Sequence, residues 1–153
     1  QERYRLLWND VIYEPGILKV VAFDKNGKAI AEKEVKTAGK PHKIILETDR
    51  KTIKSNGEDL SFVTVSVVDK NGIPCPTATN QLQFEVTGKG TFRAACNGDA
   101  TSLELFHLPT MKLFSGKLVV LVKSTKEAGK IELKVSGKGQ KKGIIELEAV
   151  LND

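Results

Sequence analysis

The sequence predicts an all-β fold, and three observations predict it. Apolar and polar residues alternate with a period of two through most of the longer segments. Asn-Gly and Gly-x-Gly pairs, the signals of tight turns, separate those segments. No segment carries a sustained helical period. Alternation of this kind lets a strand bury one face while water wets the other, as antiparallel sheets allow.

Three strands are expected before residue 39: Tyr4–Trp8, Leu18–Asp24 and Ala29–Thr37. A segment of that size cannot bury a core alone. Residues 1–39 therefore read as the C-terminal part of a preceding β-sandwich module, joined through Thr37-Ala38-Gly39-Lys40-Pro41 to a second domain, residues 40–153. A linker this short suits units that pack together, and the strand edge left open in the first should seek a partner, a second copy of the chain included.

The second domain begins with expected strands Lys43–Thr48, Leu60–Asp69 and Asn80–Thr87. In the second of these Val63, Val65 and Val67 share one face; in the third Leu82, Phe84 and Val86 do. Thr91–Cys96, Lys117–Ser124, Lys130–Ser136 and Gly143–Leu151 follow, with Ile131, Leu133 and Val135 facing one way and Ile145, Leu147, Ala149 and Leu151 likewise. Asp24-Lys25-Asn26-Gly27 and Asp69-Lys70-Asn71-Gly72 are one tetrapeptide used twice, each after an apolar strand, and Asn-Gly supplies the positive φ a tight turn requires. Ser124-Thr125-Lys126-Glu127 has capping-box spacing, with Gly129 close behind, so a single helical turn is expected there. Seven short strands at this spacing are the arithmetic of an immunoglobulin-like β-sandwich, although Trp8 lies outside the domain and the Cys-Trp-Cys core of antibody domains is absent.

Composition narrows the function. Of 153 residues 40% are hydrophobic and 28% charged, the balance of a soluble globular chain. The longest apolar runs, such as Leu118 to Val122, fall far short of the roughly 20 residues a membrane helix needs. The net charge of +5 comes from lysines scattered among acids, as in Glu32-Lys33-Glu34-Val35-Lys36, with no aromatic-basic stripe on which bases would stack. Neither a membrane nor a nucleic acid is an expected partner. The first residue is Gln, so the sequence reads as a piece of a longer chain, and the missing signal peptide carries no weight.

The residue types that carry chemistry are few. Glycoside hydrolysis needs two carboxyl groups across a cleft. Glu58, Asp59, Asp99 and Glu104 are the candidates, but the first three sit beside Asn-Gly turns, where carboxylates bind loop amides. His42 falls in the linker and His107 in a loop, neither with a nucleophile in view. The Gly-x-Gly segments Gly88-Lys89-Gly90 and Gly137-Lys138-Gly139 precede no helix, so no phosphate cradle and no cofactor are expected. Two cysteines, Cys75 and Cys96, are too few for a zinc cage; they are either two buried thiols or one disulfide. Trp8 and Phe106 are candidate carbohydrate or interdomain contacts. Phe106 lies in the apolar run Leu103-Glu104-Leu105-Phe106-His107-Leu108, which another domain is expected to cover.

Several segments in order resemble the end of a bacterial β-galactosidase of glycoside hydrolase family 2. Tyr13-Glu14-Pro15-Gly16-Ile17-Leu18-Lys19-Val20-Val21-Ala22-Phe23-Asp24 is similar to the close of a β-sandwich module of those enzymes. Thr48-Asp49-Arg50, Asn56-Gly57-Glu58-Asp59-Leu60-Ser61-Phe62-Val63, Pro76-Thr77-Ala78, Asn97-Gly98-Asp99-Ala100-Thr101-Ser102 and Ser124-Thr125-Lys126-Glu127-Ala128-Gly129 resemble their immunoglobulin-like C-terminal domain. Cys75 and Cys96 depart from that pattern, and the tail after Gly139 matches loosely. The resemblance implies a non-catalytic accessory region that supports an upstream catalytic barrel of the same polypeptide, no catalytic residue here, and a periplasmic or extracellular location. An oxidising compartment would permit a Cys75–Cys96 bond. A carbohydrate-binding module and an adhesin-like spacer are the alternatives.

Overall fold

A computed structural model describes residues 7–151, and among these all regular structure is β. Two compact units are present, one reaching to Thr37 and the other beginning at Ala38.

The first unit contains β1 (Ile17–Phe23) and β2 (Ala29–Lys36), an antiparallel pair. Asp24 Oδ1 accepts the amides of Asn26 at 2.8 Å and Lys28 at 2.9 Å, which closes the hairpin. The register pairs Leu18 with Val35, Val20 with Lys33 and Ala22 with Ala31, making one largely apolar face. Lys19 pairs with Glu34 on the other face and its ammonium lies 2.9 Å from Glu32. A lone two-stranded hairpin is marginally stable in water. The expected strand Tyr4–Trp8 falls mostly outside the described residues; Trp8 itself is not in a strand.

The second unit is a β-sandwich. Its four-stranded sheet has the order β3 (Lys43–Thr48), β5 (Leu60–Val68), β9 (Lys117–Ser124), β7 (Gly90–Cys96). Its five-stranded sheet runs β4 (Thr52–Lys54), β11 (Gly143–Val150), β10 (Gly129–Gly137), β6 (Gln81–Gly88), β8 (Thr110–Lys112). The inward residues of the alternating strands meet between the sheets. Val63, Val65, Val67, Leu118, Val120 and Val122 come from one layer, and Leu82, Ile131, Leu133, Val135 and Leu147 from the other. Phe84 of β6 stacks on Phe92 of β7 with centroids 5.7 Å apart, tying the layers together. Leu151 follows the end of β11 and is exposed.

Two strands escape the periodicity argument. β4 and β8 have three residues each and contribute a single inward side chain, Ile53 and Met111, so there is no period to read. The helical turn expected at Ser124–Glu127 is instead a bend. Strand β9 runs through Ser124, and the Glu127 amide goes to Thr125 Oγ1 at 3.3 Å rather than to Ser124. Thr125 also donates its amide (3.0 Å) and hydroxyl (3.1 Å) to Lys89 O. Lys89 is the midpoint of Gly88-Lys89-Gly90, where the chain steps from one sheet to the other. Gly88 has φ 83°, and a Cβ there would meet Lys130 O at 2.2 Å. Two sheet-to-sheet crossings, β6 to β7 and β9 to β10, are thereby bonded to each other.

Candidate functional site

The acidic residues hold loops. Asp59 accepts the Lys54 amide at 2.8 Å and its neighbour Leu60 at 2.9 Å, with Arg50 Nη2 at 3.4 Å. The Lys54 amide is the main reason its carboxyl titrates below the ordinary range. Asp99 accepts the Thr101 hydroxyl at 2.7 Å and amide at 2.9 Å, and is held low mainly by that hydroxyl. Glu104 accepts the Lys112 amide on both oxygens at 3.2 Å and Gln81 Nε2 at 3.4 Å. Glu58 is exposed. Asp59 belongs to the β4–β5 turn and Asp99 and Glu104 to the β7–β8 connection. Asp59 and Asp99 bind donors of their own turn or its flanking strand, and Glu104 ties its loop to β8 and β6; each carboxylate has a structural employment.

His42 acts through its backbone, donating to Val68 O at 2.8 Å and accepting from Lys141 at 2.7 Å. His107 is exposed in the β7–β8 connection. Among the described residues, no group of three or more His, Cys, Asp or Glu is placed to hold a metal ion. No helix there is long and apolar enough to cross a membrane.

Cys75 and Cys96 are both free thiols, and only one is buried. Cys75 Sγ turns inward, 3.6 Å from Gly39 O and 3.7 Å from Ile73 O, and desolvation, aided by the Asp69 charge, raises its pKa. Cys96 is exposed at the end of β7. The two side chains sit on opposite sides of the four-stranded sheet, so the bond left open by the sequence is not formed, and neither are both thiols buried.

Trp8 and Phe106 belong to different units and are 60% and 56% exposed. Among the described residues of its own unit none is buried, so Trp8 has no core there to enter. Phe106 is fixed by its backbone: its carbonyl accepts the Ala95 amide at 2.8 Å, at the free edge of β7. Pro109 O then takes the Phe84 amide at 2.9 Å on the other sheet. The loop closes one side of the sandwich with its apolar side chains outward, Leu103 being 95% exposed. A shallow hollow of about 280 Å³ lies nearby, lined by Gln81, Gln83, Thr110, Ser136 and Lys138. It has amides, hydroxyls and one ammonium but no carboxylate, so it lacks the acid pair that glycoside cleavage requires. The loop's outward apolar set was legible in the sequence; the hollow was not, because it is made by three strands distant in the chain.

Comparison with known proteins places these features in context. Residues 44–146 match the family described as glycoside hydrolase family 2 C-terminal domain 5, and residues 1–31 match a family described only as a domain of unknown function. The chain is 40% identical over 139 residues to a β-galactosidase of Bacteroides ovatus, covering 91% of this chain and 16% of that protein. It is 37% identical over 109 residues to a β-galactosidase of Thermoanaerobacter pseudethanolicus, covering 71% of this chain and 13% of that one. A solved glycosyl hydrolase family 2 member from Bacteroides cellulosilyticus superposes with TM-score 0.85 at 31% identity, over 92% of this chain and 18% of its own. The chain thus spans about a sixth of the length of these relatives. A two-sheet sandwich whose acids serve its loops, recurring as a small part of much longer hydrolases, is an accessory β-domain. This chain belongs to the glycoside hydrolase family 2 C-terminal domain 5 family.

Proposed function

We propose that the chain is a non-catalytic accessory region of a bacterial β-galactosidase, supporting a catalytic barrel that lies upstream in the same polypeptide. The observation that carries this reading is the 40% identity to a β-galactosidase of which the chain covers only 16%. The loop-bound state of Asp59, Asp99 and Glu104 agrees with it. The sheet orders β3-β5-β9-β7 and β8-β6-β10-β11 follow the two layers of an immunoglobulin-like domain, with β4 added parallel to β11. Residues 1–39 are read as the end of a preceding β-sandwich, whose missing strands would cover the apolar face of Leu18, Val20 and Val35. A periplasmic or secreted location belongs to the same reading.

The test is hydrolysis of nitrophenyl-β-galactoside. The parent polypeptide turns it over and this chain alone does not; turnover by a pure preparation of the chain overturns the proposal. Binding of galactosides is a second reading, favoured by the exposure of Trp8 and Phe106. Saturable galactoside binding by the isolated chain, abolished in Trp8→Ala or Phe106→Ala, would establish it.

A further inference from the structure

The two outer faces of the sandwich have opposite chemistry. On the five-stranded sheet, Glu132 and Lys134 of β10, Glu146 of β11 and Glu85 of β6 point outward, and Lys134 Nζ lies 2.7 Å from Glu85 Oε2. That is the face of a sheet that meets water.

The four-stranded sheet differs. Its register aligns Phe62 of β5 with Leu121 of β9 and Ala94 of β7, and the next outward row aligns Thr64, Val119 and Cys96. Across β5 and β9 both rows are uncharged, with carboxylates at their β3 end, where Glu47 stands opposite Thr64 and Asp49 accepts the Phe62 amide at 2.8 Å; Phe62 is 42% exposed. The sequence of β9 agrees: Leu118-Val119-Val120-Leu121-Val122 is continuously apolar, the pattern of a strand covered on both faces, whereas β10 alternates strictly. The apolar β7–β8 loop continues this surface past the free edge of β7, where Phe106 O accepts the Ala95 amide. The outward charges around the rows are mainly cationic, Lys43, Lys117, Lys123 and Arg93 against Glu47 and Asp49.

We propose that the outer face of the four-stranded sheet is a docking surface, and that its occupant is an apolar patch rimmed by carboxylates on another domain of the same polypeptide. The rim supplies the charge complementarity, and the five-sixths of the B. ovatus relative that lies outside the matched region supplies the chain from which the occupant comes. The proposal rests on the accessory-region reading and adds to it the surface through which the support is given.

Cys96 ends the second row on the edge strand β7 and is the reporter. The experiment measures alkylation of Cys96 by a maleimide under native conditions, read by mass spectrometry of its peptide, in this chain and in the parent polypeptide, with Cys75 as the buried control. Rapid labelling in the chain and roughly 100-fold slower labelling in the parent is expected. Phe62→Glu in the parent should restore rapid labelling while leaving the Tm of the isolated chain unchanged. Equal rates in the two proteins overturn the proposal. So does slow labelling in the isolated chain: concentration-dependent protection assigns the face to a second copy, and concentration-independent protection assigns it to a contact within this chain. Hydrolysis of nitrophenyl-β-galactoside by the parent is followed in parallel. Protection without hydrolysis sinks the β-galactosidase reading alone, and hydrolysis with Cys96 reactive sinks the docking face alone.

Discussion

Asp69 Oδ2 accepts the Gly39 amide at 2.8 Å across 30 residues of chain, while its Oδ1 accepts the amides of Asn71 at 2.8 Å and Ile73 at 2.9 Å. The twin tetrapeptide at Asp24 makes the same local turn, with Oδ1 on Asn26 and Lys28. The additional Gly39 bond belongs to a carboxylate that is only 4% exposed. Asp69 therefore shapes its hairpin and also holds the segment by which the chain enters the sandwich.

That arrangement fixes a pH dependence. The amides of Gly39 and then Ile73 hold the Asp69 carboxyl below its ordinary value. A group depressed on folding contributes stability that is complete above its unfolded pKa and is lost as pH falls through its folded pKa. The thermal midpoint should be level near neutrality and fall below about pH 4, with Asp59 and Asp99 adding to the same acid limb. Asp69→Asn should flatten that limb in part and speed exchange of the Gly39 amide, followed by NMR. A variant with an unchanged limb and a still-protected Gly39 would refute the assignment.

Core and loop leucines should separate cleanly. Leu133 of the central strand β10 is 0% exposed, and Leu133→Ala should cost about 2–5 kcal/mol in urea unfolding. Leu103, 95% exposed, should change stability by less than about 0.5 kcal/mol as Leu103→Ala in the isolated chain. A large loss at Leu103 would mean that the loop is already packed against something in this chain.

Two glycines with similar backbone should respond differently. Gly72 has φ 81° with open space around a would-be Cβ, so Gly72→Ala should cost about 1–2 kcal/mol from the left-handed conformation. Gly116 has φ 73° in the Ser115-Gly116 turn, and a Cβ there would stand 2.2 Å from Cys75 O. Gly116→Ala should exceed the Gly72 cost by on the order of 2 kcal/mol, since backbone must move to admit it. Equal losses would show that the Cys75 segment yields freely.

Reducing agent should leave the unfolding midpoint unchanged. A Cys75–Cys96 bond would contribute about 2–4 kcal/mol, but Cys75 faces the core and Cys96 faces outward. Titration with a thiol reagent should find one reactive sulfur in the native chain and two in denaturant. A midpoint that drops on reduction would contradict the placement.

The long strands were legible because each has an inward face of several residues; Val63, Val65 and Val67 announce β5 before any coordinates do. β4 and β8 were not, since one inward residue makes no pattern. The Ser124–Glu127 bend was misread because capping-box spacing says nothing of Lys89 O, a tertiary acceptor brought in by another crossing. The sidedness of the cysteines also depends on the fold: Cys75 lies on a loop whose direction is set by Asp69 and Gly116. The docking face had a signal in the unbroken apolar run of β9, which alternation-seeking alone passes over.

The parallel pairing of β4 with β11, Thr52 against Glu148 and Ile53 against Ala149, joins a strand near the start of the sandwich to its last one. β10 likewise pairs with β6 across the three intervening strands β7, β8 and β9. During synthesis the β11 segment must therefore emerge from the ribosome before β4 and β10 of the five-stranded sheet gain their shared neighbour, and non-local pairing of this kind is slow. A nascent chain halted before Gly143 would leave Ile53 and the β10 edge uncovered, an invitation to chaperones and proteases. The last strand of the sandwich is in this way also the one that completes its fold.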